Sequence, residues 1–167
     1  MKKILFGWFV FVCVLFFAQS AFACSCAGPP LGTSLEKRIL DEYTGTFAVF
    51  VGEVKEAKHD TGQGTIDVTF KVTRVLKGGM KVNDFVTVRT TDYGPACGIE
   101  EWQTTKVGVS WVIYARQSKG PRPKGNVFLG ELIPLGVETI LVTTHCSRTK
   151  PAASAADDLK YFDSLKK

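Results

Sequence analysis

The chain has 167 residues, 21 Lys and Arg against 16 Asp and Glu, a formal charge of +5, and five cysteines. Its basic residues are scattered, with no block that could track a phosphate backbone, so nucleic-acid binding is not indicated. A chain of this length builds one packed core rather than several domains.

Lys2 and Lys3 precede an uncharged apolar run over residues 4–18, "ILFGWFVFVCVLFFA". Gln19 and Ser20 break the run, and "AFA" follows at residues 21–23. A short basic start, an apolar stretch and small residues at a cleavage point read as a secretory signal peptide. The run is shorter than the ~20 residues of a spanning helix, so the mature form is expected to be secreted or extracytoplasmic and not membrane-spanning. The minority reading is a lipoprotein anchored through Cys24, although Ala21 stands where such signals carry a larger aliphatic residue. Cleavage after Ala23 removes two lysines and no acid. It leaves a single domain over 24–167, 144 residues carrying +3.

Cys13 leaves with the signal, and Cys24, Cys26, Cys97 and Cys146 remain. An even count in an exported chain implies disulfides. A Cys24–Cys26 bond would close a strained small ring. One N-terminal cysteine is therefore expected to reach Cys97 and the other Cys146, and two connectivities stay open.

Next, "GTSLEKRILDEY" predicts a short helix over 34–43. Thr33 is its N-cap, Glu36 stands three residues on, and Leu35, Ile39 and Leu40 form its apolar stripe. "FAVFVGEVKEA" (47–57) predicts a strand buried on both faces, with Gly52 a bend or close-approach point. "HDTGQGT" predicts a turn that holds His59. In "TIDVTFKVTRVLKG", Ile66, Val68, Phe70 and Val72 point one way, and the alternation slips at Val75, which predicts a bulge. Strands follow at 84–91, 108–117, "VFLGEL" and "ETILVTT", with a loop at "YGPACG" and a basic loop over 119–124. A closing helix starts near Pro151, with acids early and lysines last. Ala155, Leu159, Phe162 and Leu165 form its buried stripe. Short strands between Gly turns, with helices only at the ends, predict a mainly β, closed or nearly closed barrel.

Four features carry a resemblance: "CSC" at the cleavage point, "FVGEV" (50–54) followed by "VTFKVTRVLKG" (68–78), "ACG" (96–98) ahead of "VGVSWVIYA" (107–115), and "TTHCSRT" (143–149) ahead of a helix. In this order and spacing the chain resembles the netrin-like module of the tissue inhibitors of metalloproteinases. The resemblance implies an OB-fold-like Greek-key barrel of five or six strands with flanking helices, and the disulfides Cys24–Cys97 and Cys26–Cys146. It also implies a zinc metalloprotease as partner, with the α-amine and carbonyl oxygen of Cys24 chelating the protease's zinc. Ser25, Cys26 and Ala27, with Pro95, Ala96 and Cys97, would form the inhibitory ridge. The alternative is a non-inhibitory binding module or lipoprotein of the same fold, because the chain lacks cysteines for a further disulfide that the inhibitors carry.

Other chemistry has thinner support. His145 with Cys24, Cys26 and Cys146 has ligand types for a structural zinc site, but exported cysteines are oxidised. Bridged sulfur cannot act as a nucleophile, and "CSC" lacks the two-residue spacer of a redox pair. No cofactor, no metal of the chain's own and no enzymatic activity are expected. Trp102, Trp111 and Tyr114 read as core or rim aromatics.

Overall fold

The computed structural model of the chain describes residue 26 and residues 28–91, 98–119 and 139–165. Helix α1 (Leu35–Gly45) is followed by strands β1 (Ala48–Asp60), β2 (Thr65–Lys77), β3 (Phe85–Thr91), β4 (Ser110–Lys119), β5 (Thr139–Val142) and β6 (Lys150–Pro151), and by helix α2 (Ala156–Ser164). Single 3-10 turns, Glu100–Trp102 and Ala152–Ser154, precede β4 and α2. The strands lie in the order β1-β2-β3-β5-β4-β6, and β1 also pairs with β4. Five strands thus close a ring, and β6 joins the outside of β4. Every pairing is antiparallel except β3 with β5, which is parallel. This is the mainly β barrel with helices at its ends that the sequence pattern predicts, and it is OB-like, as the resemblance implies.

The alternation in β2 works as read. Ile66, Val68, Phe70 and Val72 are fully buried and line the barrel. Near Val75 the pairing with β1 slips twice, leaving Thr73 and Leu76 as extra residues of β2. Bulges of this kind bend the strand and raise its twist, which closing a five-stranded ring requires. Gly52 is a close-approach point: a β-carbon there would lie 2.8 Å from Phe70 Cβ.

Strand β1 is buried on both faces from Ala48 to Gly52 because two cores meet on it. Inside the barrel, Ala48, Phe50 and Val54 pack with the β2 stripe, Trp102 and Trp111. The rings of Phe50, Phe70, Trp102 and Trp111 form a chain with centroids 5.3–6.2 Å apart. Outside the barrel, Val49 and Val51 pack with Val112 and Tyr114 of β4 beneath Ile39 of α1 and Phe162 of α2. All three singled-out aromatics, Trp102, Trp111 and Tyr114, are core residues, at most 2% exposed. Among the described residues, no helix covers the outer face of β2 and β3, which is polar. Thr69 bonds Thr87 at 2.7 Å, and Arg89 grips Asp67 with a two-pronged contact at 2.7 and 2.8 Å.

Several local expectations are corrected. Ser34, not Thr33, caps α1: its extended backbone lets Oγ accept from the Lys37 N–H at 3.2 Å. Thr33 instead donates its hydroxyl to Pro30 O, closing the preceding turn. The helix therefore starts at Leu35 and runs on to Gly45. Its stripe reduces to Ile39, since Leu35 and Leu40 are exposed where the helix touches the barrel along one narrow line. His59 is not in a turn but in β1, opposite Ile66, because the β1–β2 ladder continues to Asp60 and Thr65. Pro151 ends β6 and, as expected near the start of the closing helical segment, is the N-cap of the 3-10 turn Ala152–Ser154 that leads into α2. Leu165 is exposed beyond the end of α2, and the fourth inward position belongs to the fully buried Asp158. The strand expected at "VFLGEL" and the basic loop beyond residue 119 lie outside the described residues.

Candidate functional site

The parallel pair is the unusual joint of this barrel. Val88 and Arg89 of β3 lie beside Leu141 and Val142 of β5, and the Thr143 N–H continues the ladder to Arg89 O at 2.9 Å. Because the two strands run the same way, their last residues, Thr91 and Val142, lie at one end of the barrel. The segment after β3 carries "YGPAC"; the segment after β5 carries "TTHC".

Both flanks of the first segment are held. Gly98 returns so close to the end of β3 that a β-carbon on it would lie 2.0 Å from Thr91 O. The Ile99 N–H bonds Thr90 Oγ1 at 3.3 Å, and Ile99 and Trp102 are buried in the barrel mouth. A backbone oxygen at that distance cannot yield as a flexible side chain would. Gly98→Ala is expected to lower stability by about 1–3 kcal/mol, the usual range for overpacking, read as a lower urea midpoint with an unchanged slope.

The second segment is a compact turn. The Ser147 N–H and hydroxyl both donate to Thr144 O, at 3.0 and 2.7 Å. Ser147 Oγ lies 2.9 Å from Thr143 Oγ1 and accepts from the Thr149 N–H at 3.1 Å. On this turn Cys146 forms a disulfide with Cys26, with Cα atoms 5.2 Å apart. The bond ties residue 26, ahead of α1, to the end of β5, across 120 residues of chain. Of the two connectivities open from the sequence, Cys26–Cys146 is realised, so Cys26 is not paired with Cys24 or Cys97. His145 is exposed, with Nε2 3.2 Å from Cys26 Sγ. Tyr114, Arg116, Thr143 and Cys146 line a shallow cleft of about 90 Å³ beside the bond.

A buried polar cluster anchors this turn to the body of the protein, and sequence reasoning missed it. Asp158 of α2 accepts from the Tyr114 hydroxyl at 2.6 Å, from Arg148 at 2.6 and 3.0 Å and from Lys150 at 2.7 Å. Thr149 Oγ1 accepts from the Tyr114 N–H at 2.9 Å, and Thr143 donates its hydroxyl to Tyr114 O. Burial works against charge on the Asp158 carboxyl, but the hydrogen bonds from Arg148, Lys150 and Tyr114 outweigh it and hold its pKa below the ordinary value of 3.8. Burial and the bond to Asp158 raise the Tyr114 phenol far above its ordinary range, so it stays protonated. One signal was available: Asp158 lies three residues after Ala155 and four before Phe162, on the inward stripe of α2, with "RTK" shortly upstream.

Of the residues expected at the inhibitory ridge, Cys26 is joined to Cys146 at this end. Cys24, Ser25, Ala27, Pro95, Ala96 and Cys97 lie outside the described residues. Among the described residues, no helix is long and apolar enough to cross a membrane. No family model matches the chain, and no curated protein matches its sequence.

Proposed function

We propose that the chain is an exported netrin-like protein that inhibits zinc metalloproteases through the free α-amine and carbonyl oxygen of Cys24. The observation that carries this reading is the Cys26–Cys146 bond at the mouth of the parallel β3–β5 pair. Neighbouring strands lie about 4.8 Å apart, and two residues of extended chain reach about 7 Å. Cys24 stands two residues ahead of Cys26, and we assign its disulfide to Cys97, the residue before Gly98. Two bridges then fix both sides of the N-terminus at one barrel end.

The chemistry follows from that fixation. An α-amine has a pKa of about 8, and a zinc ion can displace its proton. Amine nitrogen and carbonyl oxygen of one residue close a five-membered chelate ring. A catalytic zinc keeps an open position for water or substrate, and the chelate would fill it. A residue held by a disulfide loses little freedom on binding. Ser25 would face the protease's primed pocket, Ala27 would extend the ridge, and Pro95 and Ala96 would form its other half. On this reading the chain blocks an enzyme and is not one itself, and it has no cofactor of its own.

The test compares two oxidised proteins against a panel of zinc metalloproteases, one starting at Cys24 and one with a single alanine ahead of it, both verified by intact mass. The first is expected to inhibit, and the second to lose at least about 100-fold in affinity, since more than about 2.7 kcal/mol of zinc ligation is removed. Equal inhibition by both would overturn the mechanism. Inhibition by neither would favour the binding module without zinc chemistry.

A further inference from the structure

The disulfide has an unusual neighbour. Cys26 Sγ, Cys146 Sγ and a nitrogen of His145 all lie within 4.8 Å of one another, and all three residues are exposed. Two of the three sit on consecutive positions of a turn that four hydrogen bonds hold in shape. We infer that reduction of the Cys26–Cys146 bond converts this staple into a Cys2His site for a soft divalent cation of the zinc class, held by the chain's own side chains.

The geometry is close to what such an ion needs. With Zn–S near 2.3 Å and Zn–N near 2.0–2.1 Å, ligand atoms of a tetrahedral site stand roughly 3.5–3.8 Å apart. The S–N contact is 3.2 Å. Opening the bond lets the two sulfurs part to that spacing, and the exposed ends of the side chains have room to move. Two thiolates and an imidazole favour zinc-class ions over magnesium or calcium. Three protein ligands leave a fourth position for water.

The steps balance. A dithiol supplies two electrons and two protons, the S–S bond breaks, two thiols form, and the dithiol closes to its own disulfide. The cation then displaces the two thiol protons to solvent. A disulfide sulfur can only accept, so in the oxidised protein His145 Nε2 carries the hydrogen. In the metal-bound form Nε2 gives its lone pair and the hydrogen resides on Nδ1. The site is separate from the Cys24 amine, and its test needs no protease, so either reading can fail alone.

The experiment titrates cobalt(II), then zinc(II), into the purified protein, either oxidised or reduced with a dithiol and desalted under argon. The reduced protein is expected to take up one cobalt per chain, with a near-ultraviolet thiolate charge-transfer band that zinc abolishes. The oxidised protein should show none. His145→Ala should weaken binding by more than the 10–100-fold that loss of even an outer-shell partner costs, and Cys26→Ser should abolish the band. The double variant Cys24→Ser, Cys97→Ser should bind as the parent does. The inference is overturned by full binding in His145→Ala or Cys26→Ser, or by loss of binding in the double variant, which would put the ion on the other sulfurs. It is overturned equally if the reduced protein loses the near-ultraviolet dichroism of buried Trp102 and Trp111, since the site requires the folded turn.

Discussion

Asp158→Ala is expected to lower folding stability by about 3–5 kcal/mol, the cost of breaking a buried ion pair from one side. The side chain of Asp158 is fully buried, whereas those of Arg148 and Lys150 keep 15% and 27% of their surface exposed. Removing the carboxylate strands two half-buried cations and the Tyr114 hydroxyl together. Because Asp158 joins α2 to the "RTK" segment, the loss should also loosen the turn that carries Cys146, seen as faster amide exchange at Thr143 and Thr149. Urea unfolding measures the first effect; a change under about 1 kcal/mol would mean that the cluster rearranges around water.

The same carboxylate sets an acid limit. Its pKa is lower in the folded protein than its ordinary 3.8, so the unfolded chain binds the proton more readily. Its contribution is complete above about pH 4 and is lost as pH falls through the folded value. Between pH 5 and pH 2.5, Asp158→Asn should show a shallower fall in stability than the parent. Parallel curves would show that other carboxylates govern acid unfolding.

The second large effect belongs to the disulfide. Replacing both Cys26 and Cys146 with serine opens a link across 120 residues. In the chain-entropy account a loop of that size contributes about 5 kcal/mol. This is a large share of the 5–15 kcal/mol that holds an ordinary domain together. If Cys24 and Cys97 are also bonded, the closed path shortens to the 49 residues between Cys97 and Cys146 and the two between Cys24 and Cys26, and the loss falls only to about 4 kcal/mol. Urea unfolding measures the loss, and a value under about 2 kcal/mol would sink this account of the bond.

How much of this could be read from the chain depends on the range of each interaction. Strand β2 was legible because a two-residue period marks a half-buried strand wherever it sits, and Ile66, Val68, Phe70 and Val72 obey it to the last residue. The slip at Val75 was legible for the same reason, since a bulge must break that period. The α1 cap shifted by one residue because Thr33 and Ser34 are both competent caps, and the choice between them turned on the preceding Pro30 turn. His59 was misplaced because a ladder ends where its two strands part, not where turn residues first appear. Asp158 escaped notice because a carboxylate on an inward stripe reads as an error in the stripe until its three donors, from β4 and from the segment around β6, are seen to converge on it.

Periodicity, turn residues and cysteine count are local or countable properties, so the β class, the flanking helices, the aromatic core and a long-range bond from Cys26 were legible in the chain alone. Only the tertiary structure decided that β3 and β5 run side by side, that Cys26 takes Cys146, and that His145 lies against their bond. Those facts depend on which distant segments the closed ring brings into contact.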